Sequence, residues 1–192
     1  MLSKLSIAQY LPFSRANGPG KRAVIWLYGC ERYCTNCCNP SFQEFKDPNI
    51  YVNVLSKKIK KDILDFNLRG ITLSGGEPLH PRNNKGLILL LDLLKETSKD
   101  ILVFTGYEIV PDCSKNYIDM AIAGPYDESL NNPNGLVASS NQKIYRFSDK
   151  FDDVSDDALI NGERIIETHT DIDGNVVITG LVGQKEIGDI LA

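Results

Sequence analysis

Four short apolar runs in this chain each stop at a glycine, and helical patterns fill two of the long gaps between them. The runs are Arg22 to Tyr28 before Gly29, Gly70 to Ser74 before Gly75-Gly76-Glu77-Pro78, Ile101 to Thr105 before Gly106, and Ile118 to Ala123 before Gly124-Pro125. Runs this short, bounded by Gly and Pro, read as buried strands rather than helices. Residues 51–66 instead place Val52, Leu55, Ile59, Ile63 and Phe66 on one helical face, and 84–97 do the same with Leu87, Leu90, Leu91 and Leu94. Lys57, Lys58, Lys60 and Lys61 fall elsewhere on the first helix and read as its solvated side. Strand, loop and helix in alternation imply parallel strands joined by crossover helices. In such sheets ligands bind at the carboxyl ends of the strands, which is where all four glycine turns would lie. The expected class is α/β: a partial (β/α) barrel or a curved, mostly parallel sheet of about five or six strands. A full eightfold barrel usually takes ~250 residues, more than the 192 present. An incomplete barrel has an open side, through which a loop of a large substrate can enter.

A chain with 42% hydrophobic residues and a net charge of -4 buries a core and is not disordered. No apolar run approaches the ~20 residues of a membrane helix. Met1 to Phe13 has neither a long apolar stretch nor a small-residue cleavage site, which reads as a mature cytoplasmic protein without membrane or nucleic-acid partners. The charge is uneven. Residues 1–147 hold 18 Lys+Arg against 14 Asp+Glu, whereas 148–175 hold 2 against 9. The sign change suggests a core over 1–147 and an acidic C-terminal appendage over 148–192, packed on or beside it; a solvated acidic loop is the competing reading. Within the appendage, Arg164 to Thr170 and Val176 to Thr179 read as a hairpin closed by Asp173-Gly174. Asp171, Asp173 and Asn175 lack the Gly and Glu spacing of a calcium loop.

Five cysteines remain, four of them within residues 30–38: Cys30, Cys34, Cys37 and Cys38, with Cys113 alone. An odd, clustered set is not a secreted disulfide framework and points to a metal or to redox chemistry. Cys30, Cys34 and Cys37 form a C-x3-C-x2-C pattern. A structural zinc site wants four protein ligands, yet adjacent Cys37 and Cys38 cannot easily face one ion, and His80 and His169 show no paired spacing. A [4Fe–4S] cluster is normally held by four thiolates; three leave one iron open to a substrate or cofactor. Buried free cysteines or an incomplete zinc knuckle compete on spacing alone.

The cysteine loop after one strand, followed by Gly75-Gly76-Glu77-Pro78 after the next, resembles the radical SAM superfamily. Gly18-Pro19-Gly20, Cys37-Cys38-Asn39-Pro40, Asp119 with Gly124-Pro125-Tyr126, and Ser139-Ser140-Asn141-Gln142-Lys143-Ile144 sharpen the likeness. The series is similar to the small activating proteins of anaerobic ribonucleoside-triphosphate reductase, which are glycyl-radical activases. The resemblance implies that Cys30, Cys34 and Cys37 hold a [4Fe–4S] cluster whose fourth iron is chelated by S-adenosylmethionine (SAM). One-electron cleavage of the sulfonium bond then gives a 5'-deoxyadenosyl radical. It also implies a glycyl-radical reductase as protein substrate and an electron donor such as a flavodoxin or ferredoxin.

On that resemblance, Gly75 and Gly76 leave room for the methionine end of SAM, and Glu77 accepts from its ammonium or braces the loop. Asn36 and Cys38 flank the last ligand with their backbones toward the adenine. Asn39 bonds SAM or the cluster loop. Thr105 ends a strand at the active edge. Ser139 and Asn141 bind ribose or substrate backbone, or else cap a turn. A stand-alone radical SAM tailoring enzyme acting on a peptide or small metabolite is the alternative function. A non-catalytic iron–sulfur or zinc protein is a third reading, and Gly75 to Pro78 argues against it.

Overall fold

The computed structural model describes residues 3–170 and 174–181. Its strands are β1 (Lys4–Leu5), β2 (Ile7–Ser14), β3 (Arg22–Leu27), β4 (Ile50–Tyr51), β5 (Gly70–Gly75), β6 (Asp100–Thr105), β7 (Met120–Ala123), β8 (Lys143–Arg146), β9 (Glu167–Thr170) and β10 (Val176–Thr179). The helices are α1 (Val52–Asp65), α2 (Asn84–Leu94), α3 (Asp112–Lys115) and α4 (Asp156–Asn161). One six-stranded sheet runs in the order β2-β3-β5-β6-β7-β8. Its four middle strands are parallel, as the glycine-terminated runs require, and both edges are antiparallel. The pairing is a single ladder in which β2 and β8 are the two ends.

The N-terminal edge strand β2 lacks a clean period because it is irregular. Its register against β3 shifts between Ile7 and Gln9 and again between Leu11 and Ser14, with Pro12 inside the second shift. Proline is tolerated on an edge, where no ladder bond is lost. The fourth apolar run pairs only from Met120, since Ile118 packs into the core ahead of the strand.

Alternation along each strand builds a core on each face of the sheet, with Leu11, Val24 and Trp26 as a smaller third cluster. Ala23, Ile25 and Leu27, with Ile71, Leu73, Ile101, Val103 and Ala121, face α1 and α2 through Leu55, Ile59, Ile63, Leu87, Leu90 and Leu94. On the opposite face, Leu102, Met120 and Ile122 pack on Val137, Phe151 and Leu159. Phe151 and Leu159 belong to the acidic C-terminal segment, whose apolar side chains thus cover the sheet.

The amino ends of the strands hold a buried ion cluster. Arg22 has no solvent exposure. It pairs with Asp100 and donates to Thr72 Oγ1 at 2.8 Å and to the Ile71 carbonyl at 2.9 Å. Arg69 reaches the other Asp100 oxygen at 3.0 Å and Asp153 at 2.7 Å. The two guanidinium groups lie 5.5 and 5.3 Å from the Phe151 ring centroid. Asp153 of the acidic segment therefore helps Asp100 neutralise the cations at this edge.

In the C-terminal hairpin β9 pairs with β10 from Val176 opposite Thr170 to Thr179 opposite Glu167. Asp173 of the expected turn, and the appendage beyond Leu181, lie outside the described residues. Among the described residues no helix is long and apolar enough to cross a membrane.

Candidate iron–sulfur and cofactor site

Bonds across the sheet join the carboxyl ends of the parallel strands. Gly76 N–H donates to the Leu27 carbonyl at 2.8 Å and Glu77 N–H to the Gly29 carbonyl at 2.7 Å. Gly106 N–H donates to Glu77 Oε2 at 2.8 Å, and Gly124 N–H to the Thr105 carbonyl at 3.0 Å. The four glycine turns expected at one edge are therefore a single hydrogen-bonded seam.

The cysteine loop springs from that seam. Gly29 takes φ 94, and a side chain there would strike the Phe45 ring at 2.3 Å. Tyr33 (φ 48) and Asn36 (φ 54) adopt the left-handed region and fold the loop back. Cys30 is buried, Cys34 and Cys37 are half-buried, and Cys38 and Cys113 are exposed. Arg32 N–H points at Cys30 Sγ and Asn39 N–H at Cys37 Sγ, each at 3.4 Å. Burial pushes the Cys30 thiol up, as do charges on Glu77, Cys37 and Cys34. Cys37 is held down to about 6, first by a hydrogen bond from the Cys38 thiol and then by the Asn39 N–H. Cys113 sits on α3, with Asn84 Nδ2 of α2 3.9 Å from its sulfur.

Among the described residues no three His, Cys, Asp or Glu side chains gather as they would around a single metal ion. A cubane binds each cysteine through a different iron, so its ligands stand further apart than those of one zinc. The donor set itself fits an iron–sulfur cluster: three soft thiolates in one loop, two of them receiving amide N–H groups, a known influence on cluster potential.

The turn at Gly75-Gly76 is tight against the protein's own backbone. A Cβ on Gly75, at φ 110, would lie 2.5 Å from Leu27 N and O. A Cβ on Gly76 would lie 2.5 Å from the Gly29 carbonyl oxygen and 2.8 Å from that of Phe42. Both glycines let backbone pack on backbone at the root of the cysteine loop. Asn39 Nδ2 reinforces the contact, donating to the Gly75 carbonyl at 3.3 Å. Glu77 is 2% exposed and acts as a brace. It accepts from Thr105 Oγ1 at 2.7 Å, Leu79 N–H at 3.0 Å and Gly106 N–H at 2.8 Å. Burial raises its pKa, and these three bonds and nearby Arg32 oppose that.

Ser139 and Asn141 hold a loop. Ser139 is fully buried and its hydroxyl accepts Asp127 N–H at 3.2 Å. Asn141 donates to the Pro125 carbonyl at 2.8 Å, and Gln142 to the Gly124 carbonyl at 3.0 Å. The loop so anchored reaches the cysteine loop, where Asn36 Nδ2 donates to Glu128. Sequence reasoning singled out neither Gln142 as an anchor nor Glu128; no local pattern marks a long-range side-chain contact. A cavity of about 250 Å³ beside this seam is lined by Glu31, Arg32, Glu77, His80 and Tyr107. It unites charged residues of the cysteine loop and of the turn after β5 with Tyr107 of a third turn.

The family described as "4Fe-4S single cluster domain" matches residues 16–145. The chain is 34% identical over 151 residues to the anaerobic ribonucleoside-triphosphate reductase-activating protein of Vibrio cholerae, covering 73% of this chain and 97% of that protein. It is 34% identical to the Haemophilus influenzae protein of the same name (74% and 99% covered) and 30% identical to that of Escherichia coli K12 (71% and 96%).

Proposed function

This chain belongs to the 4Fe-4S single cluster domain family and to the anaerobic ribonucleoside-triphosphate reductase-activating proteins, and on that premise we propose that it is a radical SAM oxidoreductase of the glycyl-radical-activating type. In this reading it acts in the cytoplasm on an anaerobic ribonucleotide reductase and draws electrons from a flavodoxin or ferredoxin. When bound, a [4Fe–4S] cluster and SAM supply one-electron cleavage of a sulfonium bond, and with it a 5'-deoxyadenosyl radical that removes a hydrogen from a carbon of the partner.

The chain's own residues supply ligation, alignment and enclosure. Cys30, Cys34 and Cys37 hold the cluster. The observation that carries the reading is that this three-thiol loop and the Gly75-Gly76-Glu77 turn share one seam, through Glu77 N–H on Gly29 and Asn39 on Gly75. A cofactor lying on the turn is thereby in register with the ligand loop. Half-buried backbone at Gly75 and Gly76 and exposed backbone at Asn36 and Cys38 receive SAM. Glu77 and Thr105 lock β5 to β6 beneath it, and Ser139 and Asn141 set the loop that meets Asn36. Residues 1–147 form the core, curving as a partial barrel open to a protein loop, and 148–192 form the appendage.

The test is anaerobic cluster reconstitution followed by assay for 5'-deoxyadenosine, with and without the reductase. A glycyl-radical signal on the reductase, by electron spin resonance, is the expected result. SAM cleavage without that signal rejects the substrate, and bound iron without any 5'-deoxyadenosine rejects the reaction.

A further inference from the structure

A second cavity, of about 220 Å³, contains none of the cysteines and none of the residues 75–77. It opens between the start of the chain, the segment 45–48 and the residues leading into α2. Lys4, Lys46 and Arg82 line it against one acid, Asp47. Lys46 has Glu44 at 3.7 Å; Lys4 and Arg82 have no carboxylate within ion-pair distance among the described residues. Each cation is instead held over an aromatic ring. Lys4 Nζ lies 4.5 Å from the Tyr51 centroid, Lys46 Nζ 4.9 Å from that of Tyr28, and the Arg82 guanidinium 4.4 Å from that of Phe45. Such contacts restrain long side chains without neutralising them.

We propose that this cavity is an oxyanion site for a polyphosphate group. Three restrained cations against Asp47 in the wall and Glu44 beside Lys46 leave the site net positive, which suits a phosphate chain with several negative charges better than a single carboxylate. The rings are already engaged: Phe45 has the Arg82 guanidinium at 4.4 Å and the His80 ring at 4.8 Å. The cations are the groups left to meet a ligand, so the phosphates carry the affinity. The site also touches the seam. Asn83 is buried in the cavity wall and donates to the Glu77 carbonyl at 3.2 Å, while Arg82 N–H donates to His80 Nδ1 at 3.2 Å. A ligand on Arg82 therefore bears on the Gly75–Glu77 turn. The proposal does not depend on the radical reading.

The test is calorimetric titration of the reconstituted full chain with tripolyphosphate, inorganic phosphate, ATP and succinate. Tripolyphosphate should bind once per chain and more weakly as salt rises. The pair Lys46→Ala/Arg82→Ala should weaken it about tenfold or more, and the remote pair Lys57→Ala/Lys115→Ala should leave it unchanged. Equal affinity for ATP and tripolyphosphate places recognition in the phosphates alone; tighter ATP makes a nucleotide the source of the chain. Absence of tripolyphosphate binding, equal binding of succinate, or an equal loss in the remote pair overturns the proposal. Because Lys46 and Arg82 are exposed, their removal leaves the core intact, and an unchanged thermal midpoint checks that.

Discussion

Replacing Gly76 by alanine separates two reasons for a glycine beside a cofactor: room for the ligand, or room for the protein's own backbone. The added Cβ would sit 2.5 Å from the Gly29 carbonyl oxygen and 2.8 Å from the Phe42 one, against an ordinary contact of 3.4–4 Å. Both neighbours are main chain and can yield only by moving the root of the cysteine loop. The same Gly29 carbonyl accepts Glu77 N–H at 2.7 Å, so moving it also strains that bond. Overpacking costs about 1–3 kcal/mol, and loss of the hydrogen bond about 1 kcal/mol more. The stiffer unfolded chain offsets about 0.4–1 kcal/mol. The net is a destabilisation of about 1–3 kcal/mol, or roughly 3–10 °C in Tm for a chain of this length. Thermal unfolding of iron-free protein, followed by circular dichroism, isolates the packing effect from any ligand. An unchanged Tm together with a loss of SAM affinity alone would refute the reasoning, since the glycine would then be making room for the cofactor.

Asp100→Asn should cost about 3–5 kcal/mol in urea unfolding, because it strands the fully buried Arg22; Asp153→Asn, at the exposed end of the same network, should cost far less. Iron content should collapse in Cys30→Ala, Cys34→Ala and Cys37→Ala and persist in Cys113→Ala, which sits on α3 beside Asn84; retained iron in any of the first three removes that cysteine from the ligand set. Burial raises Glu77 above the ordinary 4.5, so folding takes up a proton in the window just above that value. The stability this group contributes is complete below 4.5 and lost as pH rises through the raised folded value. The slope of unfolding free energy against pH across that window should flatten in Glu77→Gln, and an unaltered slope would show that Glu77 does not titrate there.

Helix and strand period made the central βα alternation legible. Arg22 to Leu27 and Gly70 to Gly75 stand where their apolar runs and terminal glycines put them. The edge strand β2 was illegible because Pro12 and two register shifts erase its period. In the site, the C-x3-C-x2-C spacing picks out Cys30, Cys34 and Cys37 as candidate donors without reference to the fold, since thiolate chemistry is local. The backbone packing at Gly75 and Gly76 is not legible in the sequence, for the opposite cause. A glycine's freedom shows in one dimension, but the atom that would collide with its Cβ belongs to a loop some 47 residues earlier in the chain.

The chain by itself determined the α/β class, the edge at which the glycine turns meet and which thiols are candidate donors, because these follow from short-range periodicity and side-chain chemistry. Only the tertiary structure decided that Glu77 braces Thr105 and Gly106, that Ser139 and Asn141 hold a loop, and that Phe151 brings an acidic tail into the core. Each of these depends on which distant groups share a buried volume. A buried polar group must find whatever partner the packing brings within hydrogen-bond distance, and sequence order does not encode that distance.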